Sequence, residues 1–505
     1  MDAMPPTAAL KARFARLTHL QDAAQVLHWD LSTMMPEGGA EARAAQLATL
    51  KAMAHELLTA PEVGDLLDTA EAGPNRDPWE AANLRTMRRQ WRHATALPSD
   101  LVEAHARACA ACEMTWRRAR AEDDVAAVTA PLARVLDLTR EIGQARAAVL
   151  GCDPYDALLD EFEPDARAAT IAPLFDRLAE TLPGILDDAL AAQGPAPAAP
   201  PGPFPADRQE ALARRLMQAL GFDFHYGRLD QSLHPFCGGV PDDVRITTRY
   251  DETDATSAIM AVLHETGHAL YERGLPAAWR DQPVGRALGM SLHESQSLLI
   301  EMQACRSRAF LGWAAPLMAE MLADAPQAPG WDADTLYRLY TRVAPGLIRV
   351  DADEVTYPLH VILRFRLERA MIAGDLAVGD LPGAWREGMK TLLGREVPTD
   401  RDGCLQDIHW FDGAFGYFPT YTLGAMTAAQ LFQAAVAARP SIPEDLARGD
   451  FGPLLGWLRA TVHEKGSLLT APDLLTAATG RPLDPDVFLA HLRARYVERE
   501  AERAR

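Results

Sequence analysis

The run Ser257-Ala258-Ile259-Met260-Ala261-Val262-Leu263-His264-Glu265-Thr266-Gly267-His268-Ala269-Leu270-Tyr271 is the stretch whose reading decides this chain. It holds no proline, and the apolar residues Ile259, Met260, Val262, Leu263 and Leu270 give it the pattern of a buried helix. His264 and His268 stand at i and i+4, so a helix stacks both imidazoles on one face. That spacing lets two ring nitrogens approach one cation at roughly 2.0–2.1 Å, the zinc–nitrogen distance. Glu265 borders the open side of such a cation, where it can take a proton from an activated water.

Two histidines do not complete a catalytic metal site, which needs a third protein ligand and one position left for water. A second helical run, 288–306, carries His293-Glu294-Ser295-Gln296. Glu294 follows His264 by 30 residues on a separate helix, and it supplies the His₂Glu ligand set. A three-histidine arrangement would need glycine at 271 and histidine at 274, but those positions hold Tyr271 and Gly274. Glu301, seven residues beyond Glu294, reads as a solvated helix charge in preference to a group that orients a ligand histidine.

Composition narrows the field. A chain of 505 residues with 48% hydrophobic content is globular, and its length alone suggests two to four domains. Few aromatics, with abundant Ala, Leu, Arg and Glu, favour helices over sheet. A formal net charge of −20 argues against a nucleic-acid partner, because no basic excess displaces counterions from phosphates. No apolar run approaches a membrane span, and no signal peptide is read at the start, so the expectation is a cytoplasmic protein without a membrane partner. Six scattered cysteines do not form a disulfide framework, and Cys109 with Cys112 reads as two ordinary helix residues.

Residues 1–192 read as an N-terminal helical subdomain, with long helical patterns at 7–27, 43–58, 78–96 and 99–121. The stretch Trp29-Asp30-Leu31-Ser32-Thr33-Met34-Met35-Pro36-Glu37-Gly38-Gly39 interrupts them and reads as a structured loop. Residues 193–206, dense in proline, form a stiff surface connection. Residues 207–505 form the catalytic subdomain, the whole making one compact unit. Asp243 to Tyr250 alternates Val244, Ile246, Thr248 and Tyr250 with polar residues and is the clearest strand; it either offers a free edge to an extended peptide or belongs to a small capping sheet. Asp353, Tyr357, His360 and Arg364 share one face if their segment is helical. Near the end, His409 and the tyrosines of 417–421 could donate to the oxyanion of a tetrahedral intermediate.

Taken in order, these segments resemble the carboxypeptidase Taq family of zinc-dependent metallocarboxypeptidases. The resemblance rests on Trp29-Asp30 with Thr33, Met35 and Pro36, on His234-Pro235-Phe236, and on Asp243-Val244-Arg245-Ile246-Thr247. It continues through His264-Glu265-Thr266-Gly267-His268, His293-Glu294-Ser295-Gln296, Ile348-Arg349 with Ala352-Asp353, and Gly403 with Gln406-Asp407-Ile408-His409-Trp410. What it implies is a mainly α-helical fold with a deep cleft and one small sheet beside the metal helix, a cytoplasmic homodimer, and zinc that cobalt can replace. It also implies removal of single residues from peptide C-termini with broad specificity, proline being disfavoured. By position, His264, His268 and Glu294 become ligands and Glu265 the general base. Arg349 becomes the anchor for the substrate carboxylate, with Arg245 and Arg364 as rivals and His234 as a further substrate-binding candidate. A guanidinium suits that task because it grips a carboxylate with two parallel hydrogen bonds. His409 or Tyr421 would stabilise the oxyanion. An endopeptidase with the same metal ligands, or a helical scaffold with a structural metal, would lack the carboxylate anchor or the open ligand position.

Overall fold

Helix starts in this chain are set by prolines and by short acidic caps. In the computed structural model, which describes residues 4–74, 77–324 and 328–498, Asp77 accepts hydrogen bonds from the backbone of Trp79 and Glu80 and Pro78 opens the helix behind it. Asp254 does the same for Thr256 and Ser257. Each cap satisfies backbone donors that have no partner inside the helix. The result is a molecule 69% helical.

The first part of the described chain runs α1 (Pro6–Thr33), α2 (Ala40–Thr59), α3 (Pro61–Glu71), α4 (Pro78–Thr95), α5 (Ser99–Glu122), α6 (Val125–Leu150), α7 (Pro154–Phe162) and α8 (Ala168–Ala192). After the proline-rich connection come α9 (Ala206–Ala219) and the strands β1 (Gly227–Gln231), β2 (Phe236–Val240) and β3 (Asp243–Thr248). The helices α10 (Ala255–Gly274) and α11 (Met290–Leu298) follow, and α11 continues as a π-helical segment, Leu299–Cys305. Further on lie α12 (Arg308–Leu322), α13 (Ala333–Tyr340), α14 (Tyr357–Ala373), α15 (Leu381–Leu393) and α16 (Pro419–Ala438). The described chain closes with α17 (Ile442–Leu446), α18 (Gly452–Thr461), α19 (Ala471–Thr479), α20 (Pro485–Leu492) and a π turn, Arg493–Val497.

Two expectations need correction. Trp29 to Thr33 is not loop: the residues complete α1, where Asp30 pairs with Arg43 of α2 at 2.7 Å and Trp29 is buried. Only Met34 to Gly39 turns the chain. Of the two readings of the Asp243 strand, the free edge is overturned and the small sheet is found. The sheet order is β1-β3-β2, with β1 parallel and β2 antiparallel to β3, so β3 is the middle strand and both its sides are paired.

The largest apolar core crosses the proline-rich connection. Leu132, Ile171, Phe175 and Leu178 from before it pack with Ile362, Phe365 and Trp385 from after it. A second core joins Leu212, Leu263, Leu299, Phe310 and Leu431, and it places α10 and α11 at its centre. The sheet lies on the other face of α10, where Leu229, Val244 and Ile246 meet Val262 and Ala269. Both helices that carry the candidate ligands are thus clamped in apolar packing, which fixes their side chains in place. The six cysteines are free thiols, and burial pushes Cys109 up to about 11 and Cys112 up to about 12, as expected of inert core residues. Among the described residues, no helix is long and apolar enough to cross a membrane.

Candidate metal centre

Helices α10 and α11 cross with their backbones almost touching. A Cβ on Gly267 would lie 2.6 Å from the carbonyl oxygen of Gln296 and 2.6 Å from Cα of Ser297, so only glycine permits the approach. Gly424 of α16 closes on the other side, where a Cβ would lie 2.8 Å from Cβ and Cγ of Glu294. This squeeze delivers the Glu294 carboxylate to the two imidazoles. Its Oε2 is 4.0 Å from Nε2 of His264 and 3.6 Å from Nε2 of His268. One donor atom from each of the three residues lies within 4.8 Å of the others, a group found only here among the described residues.

The far nitrogen of each imidazole is already engaged. Nδ1 of His264 meets Oε2 of Glu301 at 2.9 Å, and Oε1 of Glu301 receives Arg306 at 2.5 Å. Nδ1 of His268 meets Nδ1 of His293 at 2.7 Å, and Nε2 of His293 meets Glu272 at 2.8 Å. Both chains end on a carboxylate, and both leave Nε2 free to face Glu294. Two imidazole nitrogens and one carboxylate oxygen fit a divalent cation of zinc type, oriented as metal-binding histidines are by partners on their other nitrogen.

Burial opposes charge on His264, yet its bond to Glu301 and the nearby Glu294 outweigh burial and lift it to about 10. On His268 burial and two neighbouring imidazoles act together and push it well below its ordinary value. Glu265, buried next to His264, is raised by desolvation to about 7. A carboxyl held near neutrality can accept and return a proton at working pH.

His264 and Glu294 open on a cleft of ≈ 850 Å³, which Glu265, Arg349, Tyr357 and Tyr421 also line. Arg349 is nearly buried: its Nε and Nη2 hold Oδ1 of Asp407 at 3.2 and 2.8 Å, Nη1 donates to Tyr357 at 3.0 Å, and the Tyr421 ring lies 4.8 Å away. Arg364 is fully buried, grips the other oxygen of Asp407 at 2.6 Å, and does not line the cleft. Arg245 does not line it either; its guanidinium is held by Asp243 at 2.6 Å and lies 4.6 Å from the Trp29 ring. His234 sits exposed in the turn before β2, while its neighbour Pro235 reaches the cleft wall. His409 lies behind Tyr421, its Nε2 3.2 Å from the hydroxyl, and burial lowers it to about 4.

Three partners escaped the sequence reading. Glu301 is buried and bonded to His264 and Arg306, not a solvated charge, and it lies within the π-helical segment. His293 and Glu272 had weaker signals: one adjoins Glu294, and the other stands at i+4 from His268 on the same helix face.

Comparison with known proteins agrees with this geometry. The profile described as "Carboxypeptidase Taq (M32) metallopeptidase" matches residues 9–496. Thermostable carboxypeptidase 1 of Thermus thermophilus is 39% identical, over 98% of this chain and 99% of that protein. Among solved structures, metallocarboxypeptidase 1 of Trypanosoma cruzi superposes with a TM-score of 0.95 at 39% identity, covering 98% of this chain and 100% of the other. An M32 carboxypeptidase of Deinococcus radiodurans R1 gives 0.92 at 37%, covering 97% and 98%.

Proposed function

Because this chain belongs to the carboxypeptidase Taq (M32) family of metallopeptidases, and is a peptide hydrolase that uses a divalent metal, we propose that it removes single residues from the C-termini of peptides. We assign the metal ligands as His264, His268 and Glu294, and the metal as zinc, which cobalt can replace. The observation that carries the reading is a group of three donor atoms, from His264, His268 and Glu294, on the wall of a cleft that Glu265 and a nearly buried Arg349 also line.

When bound, the metal supplies Lewis acidity, polarising the scissile carbonyl and making water a stronger acid. The residues divide the remaining work. Glu265 accepts a proton from the attacking water and returns it to the leaving amine. Arg349, held rigid by Asp407 and Tyr357, pairs with the terminal carboxylate and thereby selects the last peptide bond. Tyr421, positioned by His409, donates to the developing oxyanion. Broad specificity with proline disfavoured, a homodimeric assembly and a cytoplasmic location complete the proposal.

Mass spectrometry of a peptide incubated with the metal-loaded protein tests it. The expected product is a ladder shortened from the C-terminus, with the C-terminally amidated twin left intact. Cleavage of both peptides at internal bonds would overturn the exopeptidase reading.

A further inference from the structure

A polar cluster far along the chain grips the segment that orients His264. Glu354 is buried, with Oε1 receiving His491 at 2.8 Å and Gln303 at 3.1 Å. Its Oε2 receives Tyr496 at 2.8 Å and Arg495 at 3.1 Å. Arg495 reaches further: the same guanidinium donates to the backbone carbonyl of Met302 and, at 3.3 Å, to that of Gln303. Those two carbonyls lie near the end of the π-helical segment Leu299–Cys305. The segment's closing backbone bonds run from Arg306 to Glu301 and from Ser307 to Ala304, so they pass the carbonyls of Met302 and Gln303 by. A helix end buried without partners is costly, and here one arginine supplies them.

The winding matters because π-helical turns are rare and less favourable than α turns. An α-helix advances by one residue every 100°, so loss of the extra residue would re-aim the side chains beyond it. Glu301 sits inside this segment, bonded both to His264 and to Arg306 at its end. We propose that Arg495 is a positioning residue for the metal centre: by capping the π-helical segment it holds Glu301, and through Glu301 it fixes the ring of His264. Residues some 230 positions apart in sequence are joined by this one chain of contacts.

The inference rests on the proposed metal ligands, and its test keeps the two apart. The dissociation constant for Zn²⁺ is measured by chelator competition for the parent, Arg495→Met, Arg495→Lys, Glu301→Gln and the double variant Glu301→Gln/Arg495→Met. Loss of an oriented partner weakens metal binding by roughly 10–100-fold. Arg495→Met is expected to fall in that range, and Arg495→Lys, which keeps the charge on Glu354 but cannot cap two carbonyls, to lie between it and the parent. The double variant is expected to bind no worse than Glu301→Gln alone, because both changes break one link. If Arg495→Met does not fold, Arg495→Lys decides. Parent-like affinity in the arginine variants, or effects that multiply, would overturn the role of Arg495; a parent that binds no divalent metal would overturn the ligand assignment instead.

Discussion

Gly267→Ala tests whether the metal centre depends on the close crossing of α10 and α11. The added Cβ would sit 2.6 Å from two backbone atoms of α11, about 0.8 Å inside the 3.4 Å where ordinary contact begins. Neither atom can rotate away, so the helices must part. Overpacking of this kind costs about 1–3 kcal/mol, against which alanine in mid-helix regains about 0.5–1 kcal/mol. A net loss of about 1–2 kcal/mol in urea unfolding is expected. The separation acts on Glu294, which rides on α11, and ligand distances tolerate only about 0.2 Å. Zinc affinity and kcat should therefore fall together, by more than the stability change alone would produce. Gly312→Ala in α12 is the control: nothing lies within 4 Å of its Cβ, and a gain of about 0.5–1 kcal/mol is expected. A Gly267→Ala protein as stable as the control, with parent-like zinc affinity, would refute the crossing as the device that places Glu294.

Three other outcomes follow from the same geometry. Glu265→Gln should keep metal by elemental analysis yet lose roughly 10²–10⁴-fold in kcat; an active variant would remove Glu265 as the base. His264, raised to about 10 among the protein groups alone, holds a proton at pH 7 that a metal must displace, so binding should release close to one proton and tighten as pH rises toward 10. Calorimetry in two buffers of different ionisation enthalpy reads that proton directly, and a buffer-independent enthalpy would contradict it. Arg349→Met should cost about 2–4 kcal/mol in kcat/KM for a free C-terminus, roughly 30- to 1000-fold, and shrink the preference over the amidated peptide; an unchanged ratio of the two rates would return the anchor to another residue.

Local chemistry was legible in the sequence, and register was not. Prolines and capping aspartates marked helix starts such as Pro78 and Asp254, and the i, i+4 imidazoles sit on the predicted helix. Glu294 could be picked out because it lies in a second apolar run with no competing acid at its position. Glu301 could not. Seven residues past Glu294 it shares that residue's helical face, but a lone glutamate there reads equally as a solvated charge, and only its long-range pairing with His264 and its bond to Arg306 show it to be buried and bonded. The middle place of β3 was hidden for a similar reason: its partner β1 is a five-residue, largely polar strand, Gly227–Gln231, with no alternation of its own. Trp29 to Thr33 carries a loop-like composition, but the ion pair of Asp30 with Arg43 and the burial of Trp29 keep it helical. Tertiary contacts override local preference at each of these places.

The charge balance around Arg349 gives its proposed role as carboxylate anchor a physical basis. Two guanidinium groups, Arg349 and Arg364, share the single carboxylate of Asp407, whose protonation they suppress well below the usual range. The imidazoles nearby stay neutral and add no further positive charge, because burial and then the arginine charges push His360 down to about 3 and His409 to about 4. Tyrosines 357 and 421 complete the surroundings as neutral hydroxyls, each raised by burial. Within the Arg349–Arg364–Asp407 group the two guanidinium charges thus exceed the one carboxylate, and a buried charge is costly without a partner. An incoming terminal carboxylate relieves that cost, while an amide or an internal peptide bond does not. Since Arg349 is already locked by Asp407, Tyr357 and the ring of Tyr421, little rotamer freedom remains to be lost on binding. On the proposed assignment of Arg349, discrimination for a free C-terminus is therefore built into the resting protein, and it precedes any step at the metal.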